Sequence, residues 1–242
     1  MTTAWLIARR ELSGYFRTFS GYIIAAAVLF IDGLLFNAFA MGGQANRLST
    51  EVLSQFFYFS SGTTMIASLF LSMRLFAEER QTGTFVLLAA SPASGRSIVF
   101  GKYLSALIFL SLMTLATVFM PLLILVNGKL ALGHVAVGYL GLILLGSATL
   151  AIGTLGSALA RSQLVAIVVS AGFVVTLIVI WLLSTITDHA LGQVFVSLAL
   201  WGKHFPPFLS GTLNLRDVAY YVLVTYVALY LATQALEAKR WD

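Results

Sequence analysis

Six runs of about 20 predominantly apolar residues constrain this chain more than any other feature. They cover approximately Gly21 to Met41, Phe56 to Phe76, Gly101 to Val126, Val135 to Ala160, Leu164 to Ile186 and Val218 to Leu236. A helix rises about 1.5 Å per residue, so each run is long enough to cross the hydrocarbon of a bilayer. Lipid offers no partner to backbone N–H and C=O groups, which leaves the helix as the form these runs take. The prediction is an all-α integral membrane protein with six transmembrane helices. Composition agrees, with 60% hydrophobic and 10% charged residues, against about 25% charged in soluble domains. The links are short except for Thr187 to Asp217, so residues 1–242 read as one transmembrane domain.

Several function classes drop out at this point. The net charge of +5 invites a nucleic-acid reading, but the basic residues are scattered at helix ends rather than gathered in a patch. The absence of cysteine removes disulfides and thiolate metal sites. His134, His189 and His204 have no metal-ligand spacing, and no Gly-x-Ser-x-Gly accompanies them, so neither a metal centre nor a hydrolase is expected. Arg9, Arg10 and Arg17 before an apolar stretch ending Ala38-Phe39-Ala40 imitate a secretory signal. That stretch is long enough to span, and Asp32 interrupts it, so it reads as a retained first span.

Six spans put both termini on one side. Placing them inside collects Arg9, Arg10, Arg17, Arg74, Arg80, Arg96, Lys102, Arg161, Lys239 and Arg240 in the cytoplasm, and leaves Arg47, Lys129, Lys203 and Arg216 outside. The positive-inside rule favours that orientation. Within residues 1–20, Trp5, Ala8, Leu12, Tyr15, Phe16 and Phe19 recur at helical spacing, with Arg9, Arg10, Ser13 and Arg17 on much of the other side. This is the pattern of an amphipathic interfacial helix with its cations toward lipid headgroups.

Between the second and third spans, residues 77–100 gather Glu78, Glu79, Arg80, Gly83, Thr84, Phe85, Leu87, Leu88, Ser91 and Pro92. Charges and small polar residues bracket an apolar centre, and Ser91 before Pro92 reads as an N-cap or a turn. An ordinary charged loop explains the basic residues but not the paired glutamates or the apolar centre. The run FAEERQTGTFVLLAASPASGRSIVFGKYLSAL resembles the segment of ABC-2 type transporter permeases in which an acidic-basic cluster leads into Thr-Gly-Thr, a leucine-rich coupling helix, Ser-Pro, and a Gly-Lys entering the third span. IARRELSGYFRT is similar to the interfacial helix of those permeases. HFPPFLSGTLNLRDVAYY and the terminal LEAKRW are similar to the branch that includes gliding-motility permeases. One departure is Val86, where family members often carry a glutamate.

The resemblance implies a non-catalytic permease subunit of an ATP-binding cassette transporter, an exporter in a bacterial inner membrane. The chain has no Gly-x-x-x-x-Gly-Lys-Ser/Thr loop of its own, so the resemblance implies ATP and magnesium on a separate ABC ATPase subunit and no cofactor on this chain. It also implies a second permease copy or paralogue, with residues 78–92 gripping the ATPase. A transporter driven by an ion gradient and a non-transporting anchor of a surface machine are the alternatives.

Polar residues inside the spans need partners. Asp32 falls halfway along the first span, where a carboxylate costs about 2.5–3.5 kcal/mol, and Asn37 follows it. Ser61, Thr64, Ser68 and Ser72 draw a stripe along the second span. These residues line a substrate path or a joint between permeases, or else bond neighbouring helices together. Gly146, Gly153 and Ala160 at intervals of seven, with Thr149 and Gly156 between, make a seam for close helix packing. Pro121 marks a kink in the third span. Residues 187–217, with Trp201, Phe205, Pro206, Pro207 and Phe208, read as an outer lid that closes the path, meets a periplasmic accessory protein, or anchors in the interface, with Asp217 capping the last span.

Overall fold

A computed structural model of the chain describes residues 3–41, 49–85, 91, 93–124, 131–186 and 189–238. In chain order the helices are α1 (Thr3–Arg17), α2 (Phe19–Leu35), α3 (Ser49–Ser72), α4 (Ala77–Gln81), α5 (Gly95–Ala116), α6 (Phe119–Leu123), α7 (Leu132–Leu159), α8 (Gln163–Val179), α9 (His189–Leu198), α10 (Pro206–Leu209) and α11 (Leu215–Ala238). A π-helical turn, Phe36–Met41, extends α2, and a 3-10 turn, Ile180–Thr185, extends α8. Among the described residues six helical stretches are long and apolar enough to cross a membrane. They correspond to the six expected runs.

The boundaries shift for local reasons. The second span begins at Ser49 rather than Phe56, because Val52 and Leu53 bury and Glu51 sits in the first turn, where a carboxylate suits the helix dipole. The third begins at Gly95. Its N-cap is Ser94, whose hydroxyl accepts the Ser97 N–H at 3.3 Å. The cap is therefore not Ser91, and Pro92 lies outside the described residues. Pro121 does mark a break: α5 stops at Ala116 and α6 resumes at Phe119, the chain yielding near residue 117, whose carbonyl the proline cannot engage.

At the centre of the bundle, α7 packs against α3, α5, α8 and α11. Its small residues make this possible. A Cβ on Gly146 would stand 2.9 Å from side-chain atoms of Thr64 and Leu110, one on Gly153 2.0 Å from Ser72 Oγ, and one on Gly156 2.1 Å from Ser170 Oγ. Thr64, Ser68 and Ser72 of α3 and Gly146 and Gly153 of α7 are thus two sides of one joint within the same chain, while Gly156 admits α8. Ser68 Oγ donates to Gly146 O at 3.2 Å across it. In lipid such close packing and interhelical bonds, rather than burial of apolar surface, hold helices together. A second thread runs from Tyr103 Oη to Ser147 Oγ (2.8 Å) and on to Thr225 Oγ1 (3.1 Å), joining α5, α7 and α11.

One end of the bundle, here the basal end, carries α1, α4 and the last turns of α11. α1 runs beside the first turns of α5. Gly101 admits it, since a Cβ there would stand 2.7 Å from Ala4 O, and Tyr15 stacks on Phe109 with centroids 4.9 Å apart. At the opposite, apical end α9 and α10 fold over the helix ends. Trp201 Nε1 donates to Ser61 Oγ at 3.0 Å, Tyr221 Oη donates to Leu200 O at 3.0 Å, and Ser54 Oγ donates to Leu209 O at 2.7 Å. Asp217 lies in the first turn of α11, and its carboxylate takes His204 Nδ1 at 2.7 Å. It serves as a hydrogen-bond partner for the apical segment, and the Asp217 N–H bonds Asn214 O.

Candidate functional site

The basal site is built around α4, a helix of little more than one turn that cannot stand by its own hydrogen bonds. Its first end is fixed by another element and its last by the turn that follows it. Ser157 Oγ, from the last turn of α7, accepts the N–H groups of Phe76 and Ala77 at 3.1 Å each and donates to Met73 O at 3.2 Å. This supplies the N-terminal cap from a distant part of the chain. At the other end Thr82 N–H bonds Glu78 O at 2.9 Å, Gly83 N–H bonds Arg80 O at 3.2 Å, and Gly83 takes a φ of +75°. That left-handed conformation favours glycine and closes the helix. The Thr82 and Thr84 hydroxyls bond each other and the carbonyls of Glu78 and Glu79, which accounts for the Thr-Gly-Thr signature.

The three charged residues of α4 reach three different elements. Glu78 takes both the Nε (2.7 Å) and Nη2 (3.0 Å) of Arg74, whose Nη1 also meets Ser20 Oγ at the start of α2. Glu79 takes the Lys102 ammonium at 2.8 Å. Arg80 donates from Nη1 to Ala158 O (2.6 Å) and Ala160 O (2.8 Å), filling the open carbonyls at the end of α7, and lies 4.8 Å from the Phe85 ring centroid. The Lys102 side chain is only 3% exposed, and its ammonium also meets Glu11 of α1 at 3.1 Å and faces the Phe76 ring at 5.7 Å. One buried cation therefore joins α1, the α4 segment and α5.

Beside this knot opens a cleft of about 1020 Å³ between α1 and the α4 segment. Glu78, Glu79, Thr84 and Ser91 stand on one wall, and Arg10 and Glu11 on the other. Tyr15 closes the inner side. Burial first, and the Glu11 carboxylate after it, push the Tyr15 phenol well above its usual range, so it stays neutral. Of the residues expected to grip a partner, Glu78, Glu79, Arg80, Gly83, Thr84, Phe85 and Ser91 share this region. Leu87, Leu88 and Pro92 lie outside the described residues. The sequence reading missed Glu11, Arg74 and Ser157, and gave Lys102 no partner. Signals in the sequence pointed to two of these: Glu11 is the sole acid of α1, and Lys102 is a lone cation inside an apolar run.

The intramembrane polar residues divide. Asp32 is buried and accepts Thr63 Oγ1 at 2.6 Å, so its partner is a hydroxyl of α3 outside the expected stripe. Asn37 is exposed on the π-helical turn and does not join it. Ser61, Thr64, Ser68 and Ser72 are all buried; Ser61 meets Trp201, and the other three face α7.

A family model described as "ABC-2 family transporter protein" matches residues 35–237, from the end of α2 nearly to the end of α11. No curated protein matches the chain. With six helices of membrane-spanning length, the chain belongs to the ABC-2 transporter family, as a multi-pass permease subunit.

Proposed function

We propose that this permease is moved by a separate ABC ATPase that docks on residues 77–100, and that the movement drives export. The observation that carries the reading is the anchorage of α4. Through Arg74, Ser157 with Arg80, and Lys102, one short basal segment, half-buried along α4 and exposed only over residues 81–84, is tied to α2, α7, α5 and α1. A force on that segment reaches several spans at once, because packed helices shift as bodies rather than deform. ATP and magnesium belong on the partner chain, and this chain supplies no catalytic residue. The working unit pairs two permeases with two ATPase subunits in a bacterial inner membrane. The basal end faces the cytoplasm, as the positive-inside count favours, and the apical segment 187–217 acts as the outer lid. In this reading the chain is similar to the gliding-motility branch of the family.

The test is affinity purification from native membranes into lipid discs, with mass spectrometry of what stays bound. The expected result is a stoichiometric soluble subunit bearing a phosphate loop, lost when Phe85, Leu87 and Leu88 are changed to alanine. Retention of that subunit by the triple variant would remove the docking role of residues 77–100.

A further inference from the structure

The turn between α9 and α10 is held to α11 by an imidazole and two phenols. His204 lies in that turn, stacked on the Tyr220 ring of α11 with centroids 3.8 Å apart and planes 12° from parallel. Its Nδ1 stands 2.7 Å from Asp217 Oδ1, and its Nε2 stands 3.1 Å from the carbonyl oxygen of Ser197 in the last turn of α9. A carbonyl oxygen only accepts, so Nε2 carries a proton. The contact between Nδ1 and the carboxyl group needs a second proton, on the ring or on the oxygen. The closed arrangement therefore holds two protons. A neutral imidazole beside an ionised carboxylate holds one, and sets lone pair against lone pair in one of the two contacts. The side chains of His204 and Asp217 are 2% and 8% exposed, so solvent is poorly placed to fill that gap.

We infer that His204 and Asp217 form a proton-operated latch on the apical segment, closed while the pair holds two protons and released at Ser197 when one of them leaves. The remaining proton stays between the ring and the charged carboxylate, which is the stronger acceptor, and the carbonyl at the end of α9 is let go. The other polar groups around the pair, among the described residues, are engaged elsewhere or exposed. Tyr220 and Tyr221 donate to Leu198 O at 2.8 Å and Leu200 O at 3.0 Å, Lys203 Nζ donates to Ser197 Oγ at 2.9 Å, and Arg216 is exposed. In an opened segment a solvated imidazole is neutral above about pH 6.5, beside an ionised carboxylate. Closing then takes up one proton, so raising the pH opens the latch. The inference concerns the apical segment alone and stands whether or not an ATPase docks at the basal end.

The test is amide hydrogen exchange of the full chain in lipid discs, read by mass spectrometry on peptides covering residues 193–205 and corrected for the intrinsic pH dependence of exchange with an unstructured peptide. The range runs from about pH 5 to about pH 9, across which an imidazole exchanges its proton. The expected result is a flat acid limb, then an opening equilibrium that rises by up to about tenfold per pH unit on the alkaline side. Asp217→Asn should keep the protection and lose the slope, because its amide donates to Nδ1 while a neutral ring still donates from Nε2 to Ser197 O. His204→Ala should lose protection and slope together. Tyr220→Phe and Lys203→Gln remove apical bonds without touching the pair, so both should keep the slope. Exchange of the unsubstituted chain that is flat with pH, or that falls as pH rises, would overturn the inference. So would a slope that survives in His204→Ala or Asp217→Asn, or loss of protection at every pH in Asp217→Asn.

Discussion

Changing Lys102 to methionine keeps the length of the stem and removes the ammonium that joins three basal elements. Its Nζ lies 2.8 Å from Glu79 and 3.1 Å from Glu11, on a side chain 3% exposed. Removing one partner of a buried pair costs about 3–5 kcal/mol, mostly from the charge left behind. Glu11 and Glu79 are 27% and 21% exposed and recover part of their hydration, which places the expectation at the lower end, about 3 kcal/mol. Glu79 carries the larger share, because its Oε2 already has no hydrogen-bond partner among the described residues. Adding Glu79→Gln removes the stranded charge, so the double variant should be more stable than Lys102→Met alone by at least about 1 kcal/mol. Equilibrium unfolding in mixed dodecyl maltoside and dodecyl sulfate micelles, followed by helical circular dichroism, reads both values. A Lys102→Met chain within about 0.5 kcal/mol of the unsubstituted protein, or strict additivity of the two changes, would refute the reasoning.

Gly153→Ala should cost about 1–3 kcal/mol in the same assay, since its Cβ would overlap Ser72, whereas Gly172→Ala, which meets nothing within 4 Å, should be neutral or stabilising. His204→Ala strands the buried Asp217 carboxylate and removes the bond to Ser197 O, so limited proteolysis should cut the apical segment faster, and Asp217→Asn should restore part of the resistance. Asp32→Asn keeps an acceptor for the Thr63 hydroxyl, so stability should change by less than about 1 kcal/mol; transport in proteoliposomes should persist across pH, and its loss would give the ionised carboxylate a role in the path.

The spans were legible because the bilayer imposes a length and a polarity that no other pattern satisfies. The glycine seam of α7 was legible as a packing surface, but its partner was not, since small residues show that something approaches closely and not what approaches. The stripe on α3 had the same ambiguity, and the two resolve each other. The acidic-basic cluster pointed to residues 77–100, while its inward ties stayed hidden. Lys102 finds Glu79 and Glu11 across long separations in sequence, and Ser157 caps a helix from the other half of the chain. His204 fits no pattern in the sequence for the same reason. Its carboxylate partner, thirteen positions on, declares itself only when α11 folds back beneath the apical segment.

The chain contains no cysteine, which opens its central claim to a direct test in native membranes. Thr84, exposed on the turn after α4, and Leu213, 55% exposed at the apical end, are each replaced by a single cysteine and exposed to a short bifunctional cross-linker with the ATPase present. The account predicts an adduct between the ATPase and the Thr84→Cys chain, changing in yield when a non-hydrolysable ATP analogue is added, and none from Leu213→Cys. Equal labelling from both ends, or an adduct from Leu213→Cys alone, would contradict it.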